Sequence, residues 1–390
     1  MRKIAILFTL VIFVSVNIFF GGCSNDKNNS TQNNVEITSN ISNVVGYSED
    51  SFNIETDYQP FFSDDNSIVA CTEGYYYFIG EFLYFLDKKT DLVVPLCNKP
   101  DCTHTSKDID CNAYFTVEQY YNHLGLFYYD SNIYIIGNDG KKNSNKLYLY
   151  KISKDGSVRE QSCYLGEFGS NINDMQIRFI IHKGKGYLAY SGDNKYELYS
   201  FNINEDKPQM KKIDEINGIG AEIYRLYGCD DGISYQYGCF TDESLETFEG
   251  GIKVCLNDKP QVVVNDAIKP YVIANGNVYY ETNNGIKIKS LKNNKTEDFN
   301  TKSNSYSLNY DGRYFYAYNV MDDGGQTISV YDNNQNYVGK FNTPDDTVSL
   351  LFGDTERFFC MCVDDKNDSV IEYLDKSQIK DNITEWKTIQ

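Results

Sequence analysis

The stretch Asn275-Gly276-Asn277-Val278-Tyr279 decides the fold, because it joins a tight turn to an alternating strand and the chain repeats this unit. Asn and Gly suit the backbone of a tight turn, whereas Val and Tyr favour an extended strand. Six other segments show the same pattern of a polar or glycine-containing turn before a Tyr/Phe-rich strand. They lie at 73–77, 130–134, 184–187, 231–235, 311–315 and 353–358. Seven copies of one unit indicate a repeat architecture made of strands.

Further alternating strands follow the repeated unit, as at 146–150, 196–200, 261–264 and 328–331. Four short strands per unit are typical of a β-propeller, in which each blade buries its apolar faces against the neighbouring blades. We therefore predict an all-β fold, a β-propeller of seven four-stranded blades over residues 60–390. Six or eight blades, or two packed β-sandwiches, are the alternatives.

The N-terminus resembles an export signal that ends in the lipobox of bacterial lipoproteins. Two basic residues precede an apolar stretch over 4–20, and Gly21-Gly22-Cys23 supplies two small residues before a thiol. The resemblance implies a lipoprotein signal peptide over 1–22 and attachment of lipid, such as palmitate, at Cys23. It also implies a location on the extracellular face of the cytoplasmic membrane. An uncleaved transmembrane anchor is the alternative, although about 17 apolar residues is the short limit for a span.

Residues 23–55 are expected to comprise the acylated cysteine and a disordered tether. The part from 24 to 50 is rich in Asn, Ser and Thr and has few large apolar side chains. Such a segment buries too little apolar surface to offset the entropy of ordering. We expect it to lift the folded part of the chain off the membrane.

The charge balance limits the partners. The chain has 36 Lys+Arg and 55 Asp+Glu, which gives a formal net charge of −19. A surface this acidic repels nucleic acid and anionic lipid head groups. We therefore expect membrane attachment through the lipid anchor and no nucleic-acid partner. The expected partner is a neutral or cationic ligand, a cell-envelope component or a protein.

The densest chemistry lies in a predicted insert over 97–122, between the first two blades. Its candidate ligands, Cys97, Cys102, His104 and Cys111, follow the spacing C-x4-C-x-H-x6-C. Three thiolates and one imidazole can bind zinc or another soft metal in a tetrahedral site. Two alternatives stay open. One is a disulfide, because exported proteins meet an oxidising environment, and the other is a set of free buried thiols.

The segment Cys97-Asn98-Lys99-Pro100-Asp101-Cys102-Thr103-His104, together with 111–114, resembles a signature of clostridial-type propeller lipoproteins. The turn-and-strand repeats are also similar to those of TolB-type β-propellers. The resemblance implies a lipoprotein and a propeller, but it implies no particular activity. An anaerobic source would favour the metal over the disulfide.

The motifs of the common hydrolases, zinc proteases and nucleotide-binding proteins do not occur in this sequence. We expect a binding or envelope-scaffold module rather than an enzyme. The alternative is an extracytoplasmic glycosidase or lyase that uses acidic residues on one propeller face. A glycosidase would place two carboxylates about 5–9.5 Å apart in a shared pocket.

Overall fold

The computed structural model describes residues 41–63, 67–105, 110–116, 125–168, 176–192, 194–265, 267, 270–301, 307–318, 325–366, 368–381 and 384–389. These residues form seven four-stranded antiparallel sheets in which the strand order follows the chain. Each sheet is one blade of an all-β propeller, as the sequence predicts. The blade count is seven, and the six-bladed and eight-bladed alternatives are wrong.

Blades 1 to 4 use the first sixteen strands. Blade 1 contains β1 (Ile68–Ala70), β2 (Gly74–Ile79), β3 (Phe82–Asp87) and β4 (Val93–Pro95). Blade 2 contains β5 (Leu126–Tyr129), β6 (Asn132–Asn138), β7 (Lys146–Ser153) and β8 (Arg159–Glu167). Blade 3 contains β9 (Ile177–His182), β10 (Lys185–Gly192), β11 (Lys195–Asn202) and β12 (Lys211–Asn217). Blade 4 contains β13 (Ile219–Cys229), β14 (Gly232–Phe240), β15 (Phe248–Leu256) and β16 (Lys259–Asn265).

Blades 5 to 7 complete the ring. Blade 5 contains β17 (Tyr271–Ala274), β18 (Asn277–Thr282), β19 (Gly285–Ser290) and β20 (Thr296–Asp298). Blade 6 contains β21 (Ser307–Tyr310), β22 (Tyr314–Tyr318), β23 (Thr327–Asp332) and β24 (Tyr337–Asn342). Blade 7 contains β25 (Thr347–Phe352), β26 (Arg357–Val363), β27 (Ser369–Asp375) and β28 (Trp386–Ile389). Short 3-10 helices cover Ile41–Asn43 and Lys376–Asp381.

Each repeated unit of the sequence falls at the turn between the first and second strands of a blade. At the turns of blades 2 to 7 the backbone becomes left-handed, with φ of 47° at Asp230, 53° at Asn275 and 73° at Gly276. Asp, Asn and Gly tolerate this conformation best. The Tyr/Phe-rich strand that follows is the second strand of its blade. In β14 every residue except the last is buried, so this strand is buried on both faces.

Aromatic side chains of the second strands fill the space between blades. In blade 6, Phe315 is fully buried, and its ring centroid lies 4.4 Å from that of Tyr310 and 4.6 Å from that of Tyr279 in blade 5. Large buried rings of this kind dominate the energetics of a core. The abundance of Tyr and Phe in the chain therefore serves the packing of one blade against the next.

Blades 1 and 7 meet without exchanging a strand, because each blade is a continuous stretch of chain. Their junction combines an apolar cluster with buried charges. Asp354 of blade 7 accepts hydrogen bonds from the Tyr75 hydroxyl and the Lys88 ammonium of blade 1, each at 2.9 Å. In the same junction Arg357 donates to Asp91 at 2.7 Å. Side-chain contacts thus close the ring.

Residues 41–63, which we name the N-terminal strap, pack against the turns and first strands of the propeller. Tyr47 forms a β-bridge with Ala274, and Phe62 forms one with Phe352. The strap differs from the sequence expectation, which assigned residues up to 55 to a disordered tether. Although the strap is mostly polar, a few of its apolar side chains, such as Phe61 and Phe62, are buried in the core.

Polar contacts fix the strap along its length. The Gly46 N–H donates to the carboxylate of Asp230 at 2.8 Å. Farther along, Glu55 accepts hydrogen bonds from the Tyr128 hydroxyl and the Ser131 N–H, each at 2.8 Å. The strap therefore contacts several blades, and its side chains form part of the folded body.

The predicted signal peptide over 1–22, Cys23 and the tether as far as residue 40 lie outside the described residues, so these assignments stay predictions. In the part of the chain that the structure describes, no helix has the length and apolar character needed to span a bilayer.

Candidate metal centre and central cavity

The Cys/His insert lies between blades 1 and 2. Leu83 of β3 donates its N–H to the Ala113 carbonyl at 2.9 Å, which ties the insert to blade 1. On the other side, the Asn112 side chain donates to the Gly156 carbonyl of blade 2 at 2.8 Å. Gly156 has φ of 70°, and a Cβ there would lie 2.6 Å from the Leu96 carbonyl carbon, so only glycine permits this close approach.

The insert also contributes to the apolar core between these two blades. Leu96, which directly precedes the insert, and Phe115 within it are 3% and 0% exposed, and they belong to one buried cluster with Tyr76, Phe78 and Tyr150. The sequence pattern alone suggests a loop outside the repeat core. The structure instead links the candidate ligands directly to residues that hold two blades together.

The four predicted ligands converge. Each of Cys97, Cys102, His104 and Cys111 offers one ligand atom, and these atoms all lie within 4.8 Å of one another. The distance from Cys111 Sγ to His104 Nδ1 is 3.7 Å. Bonds of about 2.3 Å to sulfur and 2.0 Å to nitrogen would place tetrahedral zinc ligands roughly 3.5–3.8 Å apart. The four residues could therefore hold a metal ion after a small inward movement.

Short turns bring these ligands together. Cys102 donates its N–H to the Lys99 carbonyl at 3.2 Å, which closes a turn that contains Pro100. His104 adopts a left-handed backbone with φ of 52°. The Lys99 ammonium donates to the Asp110 carbonyl, so it joins the two halves of the insert.

The pKa values of two cysteines in the cluster shift in opposite directions. Burial raises the pKa of the Cys111 thiol to about 12. Burial also acts to raise the pKa of Cys97, but the backbone N–H groups of Lys99 and Asn112 and the neighbouring thiols outweigh it, so this pKa is lowered. Arg159 lies close enough to interact electrostatically with both Cys97 and Cys111. Its positive charge would offset the net negative charge of three thiolates on a divalent metal.

All ten cysteines among the described residues are free thiols. A disulfide would join two of the three clustered sulfurs and would leave the third thiol and His104 without a role. A metal ion uses all four donors. The four residues could therefore hold a metal ion. His123, the other histidine of this region, lies outside the described residues.

A cavity of about 300 Å³ occupies the central channel. The N-terminal strap contributes Tyr47 and Phe62 to its wall, and blades 4 to 7 contribute further aromatic side chains such as Tyr227 and Tyr318. Sequence reasoning missed this cavity, because Tyr and Phe occur in every blade. A signal that could have pointed to it is Asn309, a polar residue between Leu308 and Tyr310 in β21.

The polar groups of the cavity are few. Arg225 is the one charged side chain among the described residues that line it, and it donates from Nη1 to the Tyr227 hydroxyl at 2.9 Å. The side-chain oxygens of Asn309 and Gln326 are buried, and neither has a hydrogen-bond partner within the described structure. None of the described lining residues is a carboxylate.

The sequence matches no protein family and no curated protein. Several solved structures are similar at 10% identity. The AfRom2 CNH domain matches 82% of this chain and 98% of its own, with a TM-score of 0.43. A eukaryotic initiation factor matches 84% and 86%, with a TM-score of 0.40. A puromycin hydrolase mutant matches 78% and 49%, with a TM-score of 0.44. These likenesses are too distant to inform function.

Proposed function

We propose that this chain is a lipoprotein on the extracellular face of the cytoplasmic membrane and that it acts there as a binding or envelope-scaffold module. The observation that carries the proposal is the cavity of about 300 Å³ inside the ring of blades. Its aromatic walls and few polar groups are typical of a small-ligand site. The lipobox pattern that ends at Cys23 supports the location.

Binding accounts for the cavity better than glycoside cleavage does. A glycosidase of the usual kind needs two carboxylates about 5–9.5 Å apart. The described lining residues offer the guanidinium of Arg225 and no carboxylate. Asp322 and Asp323, which are the nearest acidic residues in sequence to Gln326, lie outside the described residues.

Zinc, or another soft metal such as iron, is the cofactor that the insert supports. Its ligands would be Cys97, Cys102, His104 and Cys111. Four protein ligands complete a tetrahedral coordination sphere and leave no open position for a substrate, so the role is structural. The metal would hold the junction of blades 1 and 2, where Phe115 is buried.

A cavity-filling variant tests the binding role. Ser349 lines the cavity, and Ser349→Trp would occupy it. We expect the full-length wild-type protein in detergent to co-sediment with isolated cell envelopes and the variant to stay in the supernatant. The control is Ser244→Trp on an exposed turn, which should behave like wild type. Equal sedimentation of Ser349→Trp, at unchanged thermal stability, would exclude the cavity as the binding site.

The anchor is tested separately by Cys23→Ser. Diacylglyceryl transfer needs the thiol, so the variant should remain an unprocessed precursor without lipid. Labelled palmitate should enter the wild-type protein and not the variant. Incorporation of the label into Cys23→Ser at the wild-type level would refute the lipoprotein assignment.

A further inference from the structure

The central cavity reaches the surface at the start of β25. Val348 lines it there and is 60% exposed, so a ligand can enter past this residue. Phe352 lies at the other end of the same strand, where Phe62 of the N-terminal strap bridges to it. The strap therefore lies against the far end of the cavity. The volume of about 300 Å³ is at the lower limit of ligand sites in proteins, so it suits one ring.

Two amide side chains of blade 6 line the cavity without a hydrogen-bond partner. Asn309 Oδ1 and Gln326 Oε1 are buried, and the described residues supply no donor to either atom. A buried acceptor without a partner is unfavourable. An amide group carries both a donor and an acceptor, and its terminal torsion turns easily, so either can face the cavity. A ligand with hydroxyl groups would satisfy both amides, because a hydroxyl also donates and accepts.

The charges around the cavity favour an uncharged ligand. Arg225 is half-buried and already has partners, among them the Tyr227 hydroxyl at 2.9 Å. None of the described lining residues is a carboxylate. A carboxylate or an ammonium group of a ligand would lose its hydration and gain no free counter-charge from the described residues, which is costly. The net charge of −19 adds to the cost of an anion.

Half-buried aromatic rings form part of the wall. They belong to Tyr47, Tyr227 and Tyr318. The Tyr47 hydroxyl donates to the Asp311 carbonyl and the Tyr227 hydroxyl accepts from Arg225, so these residues offer a ligand mainly their ring surface. The negative face of an aromatic ring attracts the slightly positive C–H groups on the face of a sugar ring. A plain hydrocarbon ring would also suit this wall but would leave the two amides without partners.

We propose that the cavity binds one uncharged sugar ring, either as a free monosaccharide or as the end unit of a glycan. Its hydroxyl groups would pair with the amides of Asn309 and Gln326, and its C–H groups would lie against the aromatic wall. This proposal rests on the binding role proposed above and names its ligand class.

Titration calorimetry tests the ligand class on the full-length protein, in a detergent without a sugar head group. The uncharged probes are glucose, galactose, mannose and N-acetylglucosamine. Each is compared with the uronate and the amino sugar of the same ring stereochemistry and with cyclohexanol, which has one hydroxyl. We expect at least one uncharged sugar to bind at millimolar concentration. It should bind about tenfold more tightly than its charged relatives, because a charge loses hydration in the cavity.

Two results of this titration would overturn the proposal. One is a charged relative or cyclohexanol as the tightest probe, and the other is no binding of any uncharged sugar. Methyl glycosides of the best sugar then distinguish the two sources. The end unit of a glycan is already linked at its anomeric oxygen, so a methyl glycoside should bind as tightly as the free sugar. A site for a free monosaccharide should bind the methyl glycoside more weakly.

Two variants assign the contacts. Asn309→Leu and Gln326→Leu should each weaken the sugar by about tenfold, because each removes a hydrogen-bonding group. Neither should lower the midpoint of thermal unfolding without sugar, since replacing an unpaired buried polar group by an apolar one costs little. A purely structural role would give the reverse, a lower midpoint with unchanged affinity. Asn334→Leu, on the exposed turn of the same blade, is the matched control and should change neither quantity.

The failure of this proposal can be separated from failure of the binding role. If the sugars do not bind but Ser349→Trp still abolishes sedimentation with envelopes, the cavity binds a ligand of another class. If neither experiment shows binding, both proposals are wrong. Sugar binding that Ser349→Trp leaves unchanged would place the sugar outside this cavity and would refute the assignment.

Discussion

Cys102 offers the most direct test of the metal centre. Protein purified under reducing conditions should carry about one equivalent of zinc or iron by elemental analysis. Cys102→Ser should release the metal, because it removes one of four ligands and metal binding is coupled to local order. The control is Cys163→Ser, which changes a buried thiol in β8 outside the cluster and should retain the metal.

A disulfide would give the opposite result at the same residues. The protein would then contain no metal, and its oxidised form would have two fewer free thiols than its reduced form. Metal loss should also lower the midpoint of thermal unfolding, because Leu96 and Phe115 tie the insert to the core between blades 1 and 2. An unchanged midpoint in metal-free Cys102→Ser would limit the centre to a local role.

We expect His182 to make the attachment of the strap sensitive to pH. Its Nδ1 accepts a hydrogen bond from the Tyr58 N–H at 3.1 Å, while its Nε2–H donates to the Asp230 carbonyl at 2.8 Å. Burial lowers the pKa of His182 below the ordinary 6.5, so the folded protein keeps the neutral ring. The unfolded chain takes up the proton first, so stability is lost as the pH falls below about 6.5.

The measurement is the free energy of unfolding as a function of pH at constant zinc concentration. Wild type should lose up to about 1.4 kcal/mol more per pH unit than His182→Gln in the window just below pH 6.5. Constant zinc keeps the metal centre in the same state in both proteins. Parallel pH profiles for the two proteins would show that His182 does not link the strap to pH.

At the scale of elements, Glu55 is the contact that should matter most for the strap. It accepts three hydrogen bonds from blade 2, whereas Glu49 forms an ion pair with Arg313 in which both side chains are more than 40% exposed. Glu55→Ala should cost about 2–3 kcal/mol of unfolding free energy, because three donors lose a charged acceptor. Glu49→Ala, the matched control, should cost less than about 1 kcal/mol.

Limited proteolysis provides the second measurement for this element. Cleavage within residues 41–63 should be faster in Glu55→Ala than in Glu49→Ala, because local opening of the strap exposes its backbone. Equal stability and equal cleavage rates in the two variants would mean that apolar contacts, such as the bridge from Phe62 to Phe352, hold the strap without help from Glu55.

The elements differ in how well the sequence predicts them. The second strands were predictable, because a left-handed turn such as Asn275-Gly276 needs specific residues and the following strand carries buried apolar side chains such as Val278 and Tyr279. The strap was not, since its order depends on contacts with residues far along the chain, as between Gly46 and Asp230. The composition of the segment itself does not reveal such distant partners.

At the scale of the whole molecule, the sequence repeat predicts a ring of blades. It predicts neither the contacts that close the ring nor the cavity inside it. The ligand set Cys97, Cys102, His104 and Cys111 was visible because its members lie close in sequence. The cavity was not, because Arg225 and Asn309 come from different blades and become neighbours of one space only after the ring forms. The junction of blades 1 and 7 could not be predicted for the same reason, because its residues lie far apart in sequence.

Asp354 provides the test of ring closure, because it joins the two ends of the propeller. Burial acts to raise its pKa, but Lys88 and the backbone N–H of Arg357 outweigh burial and hold the pKa below 3.8. Its contribution to stability is therefore present at neutral pH and lost as the pH falls below about 3.8. Asp354→Asn should cost about 3 kcal/mol of unfolding free energy at pH 7, since it leaves Lys88 without its buried partner.

The matched control is Asp298→Asn, which weakens an exposed ion pair with Lys287 within blade 5 and should cost less than about 1 kcal/mol. Hydrogen exchange separates closure from general stability. If Asp354 closes the ring, Asp354→Asn should speed exchange first in blades 1 and 7 and leave blades 3 and 4 protected, because each blade is held mainly by its neighbours. Uniformly faster exchange in all seven blades would instead make Asp354 one stabilising contact among many, and the apolar cluster around Tyr75 would be what closes the ring.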